Sequence, residues 1–371
     1  MKKKVGIVTI YDCLNYGNRL QNYALYRVVS DYLGCRCRTL VSVENRWTIT
    51  EIKIKLYEYL AFTPLKKYLS QNPVDRKYWN FRRFTRKYIP TRFYRGSYCL
   101  PDKLTGKFDY FIAGSDQIWN YQIPGRFKSF EKHSRDYFLH FARPDQRISY
   151  AASFGVAEID DDKKETFQRN LETFRDLSVR EIEGQKIIKN LTGRLAEINI
   201  DPTLLLAAGD YEKIISIPSE RKSDKHPYIL KYFLGGLNQE NQKNITQYTK
   251  EKGYQEVDLL DPAQREYYAS GPSEFLYWIK NAEMICTDSF HAAVFSIIFR
   301  RPFVVFDRDD GKSMNSRINS LLSEFNLECR YVNNRESLNS YENIDYSGID
   351  KQIEIKKKQA ISYLRRTLEL D

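Results

Sequence analysis

The residues Cys286-Thr287-Asp288-Ser289-Phe290-His291 place an imidazole where a chain turns from strand to helix. The mostly apolar run Ala282 to Ile285 suits a buried strand, and Ala292 to Phe299 suits a buried helix. Asp288 or Ser289 is a good N-cap between them. His291 then falls in the first helical turn, where unpaired backbone N–H groups and the helix dipole favour anions. Phosphate or carboxylate chemistry is what such a place could support. The same pattern also fits a capped helix whose histidine merely packs.

The elements around that stretch read as alternating strands and helices. Val5 to Ile10 is a strand, followed by the polar loop Asp12 to Arg19 and a helical pattern through Leu20, Tyr23, Ala24 and Val28. No G-x-G-x-x-G is present, so dinucleotide binding is not indicated. Arg38 to Val43, Phe108 to Ala113, Arg147 to Ala151, Leu177 to Val179 and Ile198 to Ile200 read as further strands. Four of them end in small polar or charged residues, the side on which parallel α/β sheets hold their ligands. A polar linker around Pro218 to Asp224 leads to a second set of strands at Tyr228 to Leu234, Glu256 to Leu260 and Pro302 to Phe306. The fold class expected is α/β, two Rossmann-like domains facing across a cleft: residues 1–210, residues 211–345, and a C-terminal helix at 346–371 that packs back on the first.

Length and charge bound the rest. A chain of 371 residues exceeds what one core usually supports. No apolar run reaches the roughly 18 to 20 residues needed to span a bilayer, and the apolar stretch after Lys4 is too short for a signal peptide. Six cysteines without C-x-x-C spacing and four scattered histidines argue for a reduced, cytoplasmic protein with no metal and no cofactor. The net charge is +11, and the segment from Lys53 to Lys107 carries fourteen basic residues against three acids. Tyr57, Tyr78, Trp79, Phe81, Phe84 and Phe93 interleave with them. This basic, aromatic, helical insertion (45–107) suits an anionic membrane surface or an acidic glycan; a solvated helix face is the plainer reading. No recognised nucleic-acid motif accompanies it.

Several short motifs then stand in a telling order: Asn15-Tyr16-Gly17-Asn18-Arg19-Leu20-Gln21-Asn22, Ala113-Gly114-Ser115-Asp116-Gln117-Ile118-Trp119-Asn120, Tyr150-Ala151-Ala152-Ser153-Phe154-Gly155, Ser178-Val179-Arg180-Glu181, Asp201-Pro202-Thr203 and Thr287 to His291. Together they resemble the polysaccharide pyruvyl transferase family. The resemblance implies a GT-B-like fold, phosphoenolpyruvate as co-substrate and donor, and a pair of sugar hydroxyls as acceptor. The product would be a pyruvate ketal on a cell-surface polysaccharide or its lipid-linked precursor. It also implies that His291 transfers the proton and that Arg180 holds the donor.

The donor's carboxylate and phosphate need cations and backbone donors. Here the sequence departs from the family pattern: Ser289 stands two residues before the histidine, where better characterised members carry arginine. Ser289 can still hydrogen-bond the donor, and Arg317, Lys231 or Arg19 could restore the charge. Asn15, Asn18, Arg19, Asp116 and Trp119 are the acceptor-side candidates, a ring face for the sugar and polar groups for its hydroxyls. A GT-B glycosyltransferase using a nucleotide sugar, and a non-catalytic glycan- or membrane-binding protein, remain alternatives. The expected location is cytoplasmic, with peripheral contact at the inner face of the plasma membrane through residues 53–107.

Overall fold

Eleven strands form two parallel sheets in the computed structural model, which describes residues 2–11, 14–43, 72–95, 99–122, 127–222, 226–308, 316–332 and 337–370. The first contains β1 (Lys4–Val8), β2 (Arg36–Val43), β3 (Thr91–Arg95), β4 (Tyr110–Asp116), β5 (Arg147–Ala152), β6 (Ser178–Val179) and β7 (Glu197–Ile198). Their order is β3-β2-β1-β4-β5-β6-β7. Strand order reverses between β1 and β4, so the loops leaving these two strands flank a crevice at their carboxyl ends. The second sheet holds β8 (Tyr228–Tyr232), β9 (Gln255–Asp258), β10 (Met284–Thr287) and β11 (Phe303–Val305) in the order β11-β10-β8-β9, with its own reversal between β8 and β10. Two Rossmann-like units of this kind make the GT-B-like architecture that the motifs imply.

The central strands β1, β4, β8 and β10 are buried on both faces, which is why they read as near-continuous apolar runs. The halves meet through a continuous apolar seam. Helix α1 (Tyr16–Arg27) sends Tyr16 across it to stack on Phe275 at 4.5 Å, and Tyr16 Oη donates to the Ser270 carbonyl at 2.9 Å. Tyr211 meets Phe295 edge-on at 5.0 Å. The C-terminal helix Ser347–Thr367 returns to the first sheet, where Tyr363 Oη donates to the Ser149 carbonyl at 2.8 Å.

The described part of the basic segment is not a free appendage. Helix α2 (Pro73–Tyr88) begins at the Asn72 cap and ends at β3, which adds the edge strand of the first sheet. Phe81 and Phe84 enter the core. Lys77 is only 2% exposed; its Nζ donates to the Leu259 carbonyl at 3.2 Å and lies over the Tyr16 and Tyr268 rings at 4.9 and 4.4 Å. Burial pushes its pKa down to about 8. Thus one of the counted cations is a structural pin between the halves. Residues 44–71 and 96–98 of that segment lie outside the described residues.

Candidate functional site

The charged groups converge where the strand ends of both sheets face the seam. His291 is the second residue of the helix Phe290–Ile298, as its spacing predicts. The N-cap falls on Ser289, one of the two residues expected there. Its side chain makes no capping bond, and Asp288 turns instead to the loop after β8. There its two oxygens accept the Leu234 and Gly235 amides at 2.6 and 2.7 Å. Arg308 pairs with the same carboxylate at 3.1 Å, and it packs so closely on Gly235 that a Cβ there would lie 2.8 Å from its side chain.

His291 faces the first half. Gly17 lies under its ring: a Cβ at that position would stand 2.1 Å from Nδ1. Only glycine lets the start of α1 come this close. Its Nε2 lies 3.5 Å from Asp201 Oδ2, an ion-pair contact rather than a well-formed hydrogen bond. Asp201 follows β7 and is almost fully enclosed. Its Oδ1 accepts from the Thr203 amide at 3.0 Å and the Thr203 hydroxyl at 2.7 Å, and its Oδ2 accepts from Arg180 Nη1 at 2.8 Å. Burial pushes the Asp201 carboxyl up, but His291, Arg180 and the Thr203 amide together hold it well below the usual carboxylate range.

Arg180, just past β6, also pairs through Nε with Glu181 at 2.9 Å, and its guanidinium lies over the Phe290 ring at 4.2 Å. Burial works against its charge, yet Glu181, Asp201 and Asp116 raise its pKa further. Among the described residues, Arg180 Nη2 and His291 Nε2 have no hydrogen-bond partner although both are buried. An arginine and an imidazole, each with a nitrogen to spare, share one carboxylate across the seam.

Arg317, near the start of the helix Ser316–Glu324, belongs to the same cluster. Its Nη1 lies 3.7 Å from Asp116 Oδ1. With the Gln117 amide turned to face it, Nη2 and Nε donate to Oε1 at 3.2 Å. Burial, then the neighbouring positive charge of Arg180, brings its pKa down to about 10. Asp116 itself has φ of +60° and Ala151 of +45°, so adjacent strands of the first sheet end in the left-handed region at the site.

The acceptor-side candidates separate. Asn15 caps α1 by accepting the Asn18 amide at 2.9 Å, and Asn18 Nδ2 reaches Asp116 Oδ2 at 3.5 Å. Arg19 lies deeper, with its guanidinium 4.1 Å over the Tyr11 ring. Trp119 is corrected: it is 0% exposed in an aromatic cluster with Phe138, Phe154 and Phe174, and Nε1 donates to the Tyr137 carbonyl at 3.2 Å. No ring face is left for a sugar. Lys231 is corrected too. Its Nζ is engaged by Glu256 at 2.9 Å and Gln242 at 3.2 Å, a cluster within the second half.

Three residues outside the sequence candidates hold the site together. Asp201 bridges His291 and Arg180; Arg308 backs Asp288; and Gln21 donates to Thr9 Oγ1 at 2.9 Å while its Oε1 accepts the Ser115 amide at 3.4 Å. Asp201 and Gln21 lie inside the quoted motifs, so the signal was present; Arg308 belongs to none.

A family model for polysaccharide pyruvyl transferase matches residues 15–310. No curated protein matches the chain. Among solved structures, the chain is similar to Alr3699/HepE of Anabaena in complex with UDP and glucose, at 9% identity and TM-score 0.48, covering 98% of this chain and 100% of that one. It is similar to the UDP-GlcNAc 2-epimerase of Neisseria meningitidis bound to UDP-GlcNAc, at 10% identity and TM-score 0.46, covering 100% and 94%. A third similar structure is the ADP-heptose LPS heptosyltransferase II of E. coli, at 12% identity and TM-score 0.33, covering 96% and 99%.

Proposed function

The chain belongs to the polysaccharide pyruvyl transferase family, and from that premise we propose that it moves a pyruvyl group from phosphoenolpyruvate to two hydroxyls of one sugar unit. The observation that carries this reading is the buried pair Arg180 and His291, which share Asp201 and, among the described residues, keep nitrogens without a hydrogen-bond partner. The donor is a compact polyanion that such groups can hold. Arg180, with Arg317 beside it, binds the carboxylate and phosphate. Ser289 and the first amides of the His291 helix add uncharged donors, while Arg308 and Arg317 supply charge that position 289 lacks.

In the reaction one proton goes to the methylene carbon of the donor, making a methyl group and an electrophilic neighbouring carbon. The first sugar hydroxyl adds there and loses its proton; the second displaces phosphate and closes the ketal. Of the two hydroxyl protons, one balances the new C–H bond and the other leaves with phosphate. His291 relays these protons, with Asp201 steadying its charged form. Asn15, Asn18 and Asp116, at the reversal point of the first sheet, orient the sugar hydroxyls.

Thermal-shift titration with phosphoenolpyruvate and with a panel of UDP-sugars, together with saccharide-dependent phosphate release, tests this. Phosphoenolpyruvate should raise Tm in wild type and in His291→Ala but less in Arg180→Lys, because lysine loses the fork. His291→Ala should slow phosphate release by about 10² to 10⁴. Stabilisation by a nucleotide sugar and not by phosphoenolpyruvate would overturn the donor assignment in favour of glycosyl transfer.

A further inference from the structure

We propose that the outer face of α2 and the outer edge of β3 form a docking surface for an anionic lipid bilayer. Residues 72–95 carry eight Lys and Arg against one acid, Asp75. The helix sorts them. Its inner side, with Lys77, Phe81, Phe84 and Thr85, is consumed by the core. The opposite side presents Trp79, Arg82, Arg83 and Arg86 at i, i+3, i+4 and i+7 spacing, with Arg83 lying 4.7 Å over the Trp79 ring. Arg76 and Arg83 are answered by Glu266 and Glu274. Arg86, Lys87, Arg92 and Arg95 are exposed, and among the described residues no acid pairs with them.

The edge strand continues the surface. Among the described residues β3 pairs only with β2, and its exposed Arg92, Phe93 and Arg95 register beside Leu40, Val41 and Val43. Phe93 is 42% exposed, and Arg36 and Arg38 of β2 are exposed nearby. Cations spread over a helix face and a strand edge, interspersed with rings, match a diffuse layer of headgroup charge better than one compact anion. The surface also leads to the site. Arg95 ends β3 at the same carboxyl end of the sheet as Asp116, while Phe93 meets Tyr11 at 5.5 Å and Tyr11 carries the Arg19 guanidinium. That docking would present a lipid-borne acceptor to the site rests on the transferase reading; the docking itself does not.

Co-sedimentation of the full chain with phosphatidylcholine vesicles, with and without about 30% phosphatidylglycerol, tests the proposal. Binding should require phosphatidylglycerol and disappear as salt rises from about 0.1 M to about 0.5 M. The triple variant Arg86→Glu, Arg92→Glu, Arg95→Glu should bind about a hundredfold more weakly, each surface cation contributing about fivefold. The corresponding Arg→Lys variant should bind as wild type, which separates lost charge from lost folding. An identical charge change on the C-terminal helix, Lys351→Glu with Lys358→Glu and Arg365→Glu, should alter binding less than about threefold. Equal losses from both reversals, no dependence on phosphatidylglycerol, or binding of a soluble acidic polysaccharide in place of vesicles would each overturn it. Phosphoenolpyruvate-induced stabilisation should be unchanged in the triple glutamate variant, so a failed docking test and a failed donor test give different patterns.

Discussion

Each half of the molecule buries an aspartate just past a strand end, and the pKa values of the two are shifted in opposite directions. Asp201, beyond β7, has burial against its charge, but His291, Arg180 and the Thr203 amide more than compensate, and its pKa is held low. Asp288, beyond β10, also has burial as the largest effect, and there Arg308 and the Leu234 and Gly235 amides do not overcome it, so its pKa is raised. Burial alone therefore does not set the direction in which a carboxylate shifts; the number and charge of its partners do. The positions differ in reach as well. Asp288 ties together a loop of its own half, whereas Asp201 joins Arg180 of one half to His291 of the other. The first arrangement stabilises a fold, and the second makes the fold's closure and the site's charge the same interaction.

Removing either carboxylate tests that contrast most strongly. Asp201→Ala leaves Arg180 and His291 buried without their shared counter-charge and should cost about 3 to 5 kcal/mol in urea denaturation. Asp288→Ala should cost about 1 to 3 kcal/mol, chiefly for two orphaned amides. Similar losses would dissolve the distinction between bridging and local carboxylates. Gly17→Ala drives a methyl into the His291 ring, so phosphate release should fall about a hundredfold while stability falls only about 1 to 3 kcal/mol. Unchanged turnover would show that the ring's seat on α1 does not matter to the chemistry.

Arg317→Ala should weaken phosphoenolpyruvate binding about tenfold or more, measured by the thermal-shift midpoint. Unaltered affinity would remove Arg317 from the donor side. The gentlest test is acid titration. Because Asp201 titrates lower in the folded than in the unfolded chain, its contribution is present above the unfolded pKa, about 3.9, and is lost as pH falls toward the folded value. Asp288, with a raised folded pKa, works the other way and adds stability as pH falls through its folded value toward 3.9 or so. Asp201→Asn should flatten the acid decline in stability, and Asp288→Asn should steepen it; the same slope in both variants would break the comparison.

Much of the frame was legible in the sequence. Val5 to Ile10 reads as a buried strand because parallel sheets covered on both faces leave near-continuous apolar runs, and Arg38 to Val43 reads as the next strand. His291 reads as a first-turn residue because capping and periodicity are short-range signals. Asp116 and Asn18 could be placed at strand end and helix start for the same reason, although their mutual approach could not. Trp119 and Lys231 were misplaced because residue type says what a side chain can bind but not whether neighbours already occupy it. Five aromatic or carboxylate partners, Phe138, Phe154, Phe174, Glu256 and Asp258, come to them from other elements.

By itself, then, the sequence determined the alternation of strands and helices, the family motifs and the anion-favouring position of one histidine, all of which depend on near neighbours along the chain. Only the tertiary structure decided that Asp201 holds His291 and Arg180 together, that Gly17 seats the imidazole, and that the basic segment splits into the buried pin Lys77 and an exposed cationic face. Those outcomes come from the docking of two sheets, which brings together charges far apart in sequence and excludes water from them. Neither the distance nor the dielectric at such a junction is carried by local residue spacing.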